Sequence, residues 1–172
     1  MNNLTGTESL HQLFVDLDGV LADFDKGVRR ITGKEPSELH PRRMWPAIAG
    51  TEGFYEHLDW MEDGKKLWEA VCGFKPVILT GLPMGKWAEP QKRSWCEREL
   101  GADIPVVTGM SRNKAELALS WLEENGLSEK IPVLIDDRLK LQEPWDAAGG
   151  IFILHLNTDG SLEKLRELGF PV

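Results

Sequence analysis

The run Leu13-Phe14-Val15-Asp16-Leu17-Asp18-Gly19 sets two carboxylates two residues apart where an apolar stretch ends. Such a stretch suits a strand buried on both faces, whose side-chain period of two would turn Asp16 and Asp18 to one side. Adjacent carboxylates repel unless a cation or a shared proton holds them. Two later apolar runs also close on polar residues: Thr80 after Pro76 to Leu79, and Asp136 with Asp137 after Ile131 to Ile135. Four carboxylates brought together need a counter-charge, and hard oxygen ligands select magnesium over soft metals. Thr80 adds a hydroxyl donor, and Gly81 lets the backbone approach a ligand closely. Lys114 supplies an organic cation near the start of a helical stretch beginning at Arg112, with Ser111 as a candidate cap; helix N-termini also bind phosphate. Each residue alone has an ordinary reading as turn, cap or solvated lysine. Their convergence on one pocket points to chemistry.

The elements that must position these groups alternate. Strands are expected at Leu13 to Val15, Pro76 to Thr80, Ile104 to Thr108, Ile131 to Asp136 and Ile151 to Leu154. Helices are expected over Leu21 to Ile31, Asp63 to Val71, Glu89 to Leu100, Arg112 to Asn125, within Arg138 to Ala148, and over Ser161 to Leu168, with Ser161 as cap. Alternation of this kind implies an α/β fold, a doubly wound, Rossmann-like parallel sheet of about five strands with helices on both faces. In such sheets the carboxyl ends of the strands line the ligand crevice. The tract between the first two strands is too long for a simple crossover. It reads as a small helical insertion over residues 23–72, with the core formed by residues 11–22 and 73–172.

The 172 residues carry a formal net charge of −8, which argues against a surface that coats polymeric nucleic acid but not against a small anionic substrate. Cys72 and Cys96 are far apart, without metal-ligand spacing, and read as free thiols. No leader and no membrane-length apolar run is visible, so a cytoplasmic protein away from membranes is expected. Residues 1 to about 10 read as a loose end, and the oligomeric state stays open, a homodimer included.

Taken together, Asp16-Leu17-Asp18-Gly19-Val20, Leu79-Thr80-Gly81, Lys114 and Ile135-Asp136-Asp137-Arg138 resemble, in that order, the four motifs of the haloacid dehalogenase superfamily of aspartate-nucleophile phosphatases. Within it the chain is most similar to the 5'(3')-deoxyribonucleotidase group, through Leu17 to Phe24, Gly53-Phe54-Tyr55-Glu56-His57-Leu58 and Lys92-Arg93-Ser94-Trp95 as well. The resemblance implies that Asp16 attacks phosphorus and that Asp18 acts as acid and then base. It implies that Thr80, Gly81 and Lys114 hold the phosphoryl group. Asp16, Asp18 through its carbonyl, and Asp136 would bind magnesium, with Asp137 in support. It further implies a small phosphorylated metabolite as substrate, foremost a nucleoside monophosphate. Gly81 stands where that group usually has serine, so one phosphate donor is missing, and the interval from Lys114 to Asp136 is longer than in the group.

Aromatic residues crowd the insertion, where Trp45, Phe54 or Tyr55 could stack a base, though such residues also make up a small domain's own core. Arg42 and Arg43 could approach an anion or simply be solvated. Three other readings stay open: a sugar phosphate or other small phosphoester as substrate, a receiver-type signalling domain, and a catalytically silent phosphate-binding domain.

Overall fold

A computed structural model describes residues 10–172. The expected loose end therefore lies, but for Leu10, outside the described residues. Five strands, β1 (His11–Val15), β2 (Val77–Gly81), β3 (Val106–Gly109), β4 (Ile131–Asp136) and β5 (Ile151–Leu154), form one parallel sheet in the order β3-β2-β1-β4-β5. β1 is central, paired along its length with β4 from His11 to Val15. Its side chains alternate between two cores. Leu13 and Val15 pack with Ile78, Val133, Ile135 and Ile153, while Phe14 packs with Val77, Leu79 and Leu134 on the opposite face. Both faces are covered, which is why these strands read as continuous apolar runs. The strand order differs from the 2-1-3-4-5 order of receiver domains, so the receiver reading falls.

Between β1 and β2 lie α1 (Phe24–Thr32), α2 (Pro41–Ala49) and α3 (Gly64–Val71). α1 packs on α2, whereas α3 packs on α7 (Thr158–Glu167) beside the sheet. The remaining helices are α4 (Ala88–Leu100), α5 (Lys114–Glu124) and α6 (Gln142–Ala147). Ala118 and Leu122 of α5 and Trp145 of α6 cover the Phe14 face, and α4 covers the other with Trp95 and Cys96. No helix among the described residues is long and apolar enough to cross a membrane.

Three helix starts differ from expectation. α1 begins at Phe24, after Asp23, whose carboxylate accepts from Lys26 N at 2.9 Å. The preceding residues are spent in a tight turn, in which Val20, Leu21 and Ala22 all donate to the Leu17 carbonyl. Ser111 does not cap α5: residues 111–113 form a single 3-10 turn, and α5 starts at Lys114. Ser161 lies inside α7, whose cap is Asn157, accepting from Gly160 N at 2.8 Å. Edge strand β3 starts at Val106, since Pro105 has no N–H to give a ladder.

Candidate active site

β1 ends at Val15, and Asp16 N still donates to Ile135 O at 2.9 Å, so the carboxylate of Asp16 leaves the sheet at a fixed point beside β4. Asp18 follows in the Leu17–Ala22 turn, and the turn, not the strand pleat, puts both carboxylates into one cleft of about 500 Å3. Gly19 adopts a φ of 82° there, and any side chain on it would overlap the Asp137 carboxylate. The carboxyl ends of β1 and β4 bring Asp16 and Asp136 together on Lys114, whereas Thr80, at the end of β2, is 1% exposed, does not line the cleft and joins the site only through Lys92.

Lys114, at the first turn of α5, is 3% exposed and donates to Asp16 Oδ1 at 2.7 Å and to Asp136 Oδ2 at 2.6 Å. Burial opposes its charge, but the two carboxylates outweigh burial and hold it above the ordinary lysine range. Asp136 is wholly buried, accepts Arg138 N at 2.9 Å, and is pushed up by desolvation and by Asp16 in spite of Lys114. Asp137 opens to solvent, yet desolvation and the charges of Asp16 and Asp136 lift it to about 7.

The carboxylate oxygens of Asp16, Asp136 and Asp137 come within 4.8 Å of one another. An all-oxygen donor set in which desolvation and neighbouring negative charge hold two carboxyls above their ordinary range stays short of positive charge even with Lys114 beside it, and a hard divalent cation such as magnesium fits it. Asp137, expected only in support, contributes directly to this cluster. The side chain of Asp18 does not. Its carboxylate turns to Lys92, which fits a role for Asp18 in proton transfer rather than side-chain metal binding.

Sequence reasoning named Lys92 only within a resemblance and gave it no role in the site. Lys92 is 1% exposed and donates to Asp18 Oδ2 at 2.6 Å, to Gly81 O at 2.7 Å and to Thr80 Oγ1 at 3.1 Å. Its ammonium also lies 4.4 Å from the centre of the Tyr55 ring. Asp18 is raised by desolvation, with Lys92 lowering and Asp16 raising it further, and its covered Oδ1 has no hydrogen-bond partner among the described residues. The signal lay in helical spacing, since Ala88, Lys92, Trp95 and Cys96 share the inward face of α4.

The insertion supplies the opposite wall. Trp45 and Tyr55 line the cleft, but Tyr55 is only 2% exposed and Phe54, at 5%, is packed against α1 away from it. Phe54 is therefore core, because its ring fills the space left over Gly27. Trp45, half-buried, is the stacking candidate that remains at the wall. Arg42 and Arg43 are exposed on α2 and do not line the cleft, since the inward side of that helix carries Met44 and Ile48. Asp23 and Asp25 line this wall instead.

No family model and no curated protein matches the sequence. Solved structures do match the fold. A haloacid dehalogenase-like family hydrolase, protein SP0104 from Streptococcus pneumoniae, aligns with a TM-score of 0.62 over 95% of this chain and 92% of its own, at 12% identity. A hydrolase from Streptococcus pneumoniae TIGR4 aligns with a TM-score of 0.57 over 92% of this chain and 99% of its own, at 17% identity. At such identities the likeness is one of fold.

Proposed function

We propose that the protein is a magnesium-dependent phosphomonoesterase of the haloacid dehalogenase type, working through an aspartyl-phosphate on Asp16. The observation that carries this reading is Asp16 itself: a 5% exposed carboxylate at the end of the central strand, fixed by Lys114 at 2.7 Å, in a cleft that also holds Asp18. In the first step Asp16 forms a bond to phosphorus as the bond to the leaving oxygen breaks. Asp18 gives that oxygen its proton. In the second step Asp18 takes a proton from water, whose oxygen attacks phosphorus and releases Asp16 and inorganic phosphate. Thr80 and Lys114 orient the phosphoryl oxygens, and positioning with charge neutralisation is most of what this chemistry needs. Bound by Asp16, Asp136 and Asp137, a magnesium ion would supply the charge neutralisation that lets an anionic nucleophile meet an anionic ester.

For the substrate we propose a nucleoside monophosphate, its base against Trp45, with α1, α2 and their connections acting as a cap. A sugar phosphate or another small phosphoester is the second reading. Asp23 and Asp25 on the cap wall favour it, because carboxylates accept hydrogen bonds from sugar hydroxyls.

The test is a panel of nucleoside monophosphates, sugar phosphates and para-nitrophenyl phosphate, run with magnesium and with chelator, on the wild-type protein and Asp16→Asn. Magnesium-dependent phosphate release that drops at least about a thousandfold in the variant supports the reading. Full release in chelator, or by a folded Asp16→Asn protein, overturns it.

A further inference from the structure

We propose that Ser111 and Arg138 form a further wall of the phosphoryl site, the Ser111 hydroxyl donating to a phosphoryl oxygen; this rests on the phosphatase reading above. β2 and β3 pair through Gly81 and Gly109, and Leu82 N extends the ladder to Gly109 O at 2.7 Å. The chain then leaves β3 through Met110, so this register delivers Ser111 against Gly81. A Cβ added to Gly81 would overlap Ser111 Oγ and stand 3.2 Å from Ser111 Cβ. The hydroxyl of Ser111 thus occupies the place of a side chain at the position after Thr80. Position 81 has no side chain of its own, and the hydroxyl arrives from the neighbouring strand.

The direction of its proton follows from its partners. A hydroxyl has one hydrogen to donate and lone pairs to accept with. Arg138 Nη1 donates to Ser111 Oγ at 3.2 Å, which takes up a lone pair, and among the described residues no group accepts the hydroxyl hydrogen. Met110, not Ser111, is the N-cap of the 3-10 turn, and among the described residues the Ser111 hydroxyl bonds only to Arg138, so local structure does not explain the hydroxyl. Ser111 and Arg138 both line the cleft with Asp16 and Lys114. Arg138 is held in place through its backbone N–H on Asp136 Oδ1, 2.9 Å away. A hydroxyl polarised by a guanidinium, with its hydrogen uncommitted and a second cation alongside, is a donor pair for an oxyanion.

The experiment is calorimetric titration of inorganic phosphate in magnesium buffer into the wild-type protein, Ser111→Ala and the double variant Gly81→Ser/Ser111→Ala, with circular dichroism confirming the fold of each. Loss of one hydrogen bond to a charged group should weaken phosphate binding about 10- to 100-fold in Ser111→Ala. The double variant returns a hydroxyl to the same space from β2, at the cost of a shift of a few tenths of an ångström for the 3.2 Å contact, and should regain most of the affinity. Unchanged affinity in Ser111→Ala overturns the proposal, as does a loss that the double variant shares in full. Turnover of para-nitrophenyl phosphate by the wild-type protein is measured beside it. Turnover with unchanged phosphate binding in Ser111→Ala removes only this proposal, whereas a wild-type protein that neither turns over nor binds phosphate removes both.

Discussion

Lys92 Nζ stands 2.6 Å from Asp18 Oδ2 across 74 residues of sequence, and this pair ties four segments into one site. The same ammonium reaches Thr80 and Gly81 at the end of β2 and faces the Tyr55 ring from the insertion. Its three N–H donors are all used, which is what makes a buried lysine tolerable. Asp18 receives a counter-charge that offsets part of its desolvation, and its position relative to Asp16 is fixed from outside the turn that carries both.

Lys92→Met keeps the length of the stem and removes the charge. Asp18 then loses the larger part of what lowers its pKa, only Lys114 remaining, so the limb of the pH–rate profile that reports it should move to higher pH, with kcat down about 10- to 100-fold. Stability should fall by less than the roughly 3–5 kcal/mol of a fully buried broken pair, because Asp18 is 23% exposed. A profile superimposable on that of the wild-type protein would remove Asp18 from proton transfer.

What the sequence made legible follows from burial. Strands covered on both faces must be apolar throughout, so the polar residues ending them, Asp16, Thr80 and Asp136, stand out by contrast. Lys114 was legible through the helix it opens. Lys92 was hidden in the polar run Glu89 to Arg93, where one inward residue has the same composition as its solvated neighbours. Ser111 opens a 3-10 turn after β3 and Arg138 follows β4, and what they touch is decided by the register of β2 on β3 and by the end of β4. Aromatic type could not separate Phe54, filling the space over Gly27, from Trp45 on the cleft wall; both satisfy the same hydrophobic pattern.

Lys114→Met should expose a dependence on divalent cation in folding itself. Without the ammonium, the buried carboxylates of Asp16 and Asp136 face each other uncompensated, which costs about 3–5 kcal/mol in metal-free buffer. On the proposed reading magnesium would bind the native site only and should restore part of this, about 2.7 kcal/mol at a hundredfold excess over Kd. Urea unfolding of both proteins, with chelator and with magnesium, gives the comparison. The increment from magnesium should be larger in the variant; equal increments would mean that Lys114 and the metal do not serve the same carboxylates.

Trp45→Leu tests the nucleotide reading without the burden that Tyr55 and Phe54 carry. Base stacking on an aromatic is worth about 1–3 kcal/mol, so kcat/KM for nucleoside monophosphates should fall roughly 5- to 150-fold. Para-nitrophenyl phosphate, with its small ring, should lose far less. Phe54→Ala should instead act on stability, by about 3–5 kcal/mol, as a core truncation. If Trp45→Leu leaves the ratio of nucleotide to sugar-phosphate turnover unchanged, the base does not stack there.

His155 should make the fold acid-sensitive. It is 4% exposed, its Nδ1 lies 2.8 Å from Ser161 Oγ, and its backbone N–H donates to Asp136 O at the end of β4. Burial holds it below its ordinary value of 6.5, against the pull of Asp63 and Asp16. The unfolded chain therefore binds a proton that the folded one refuses. Stability from this group is complete above the unfolded value of 6.5 and declines as pH falls toward the depressed folded value, by at most about 1.4 kcal/mol per pH unit. Asp136 and Asp137 slope the other way: their raised carboxyls contribute stability at low pH that is lost as pH rises toward about 7. The wild-type curve sums these with other raised carboxyls such as Asp18 and Asp25, so the quantity to measure is its difference from His155→Asn, in chelator, by urea unfolding between about pH 5 and about pH 7.5. The advantage of the wild-type protein over the variant should shrink as pH falls, and a difference that stays flat across that range would mean the imidazole takes up its proton without cost in the fold.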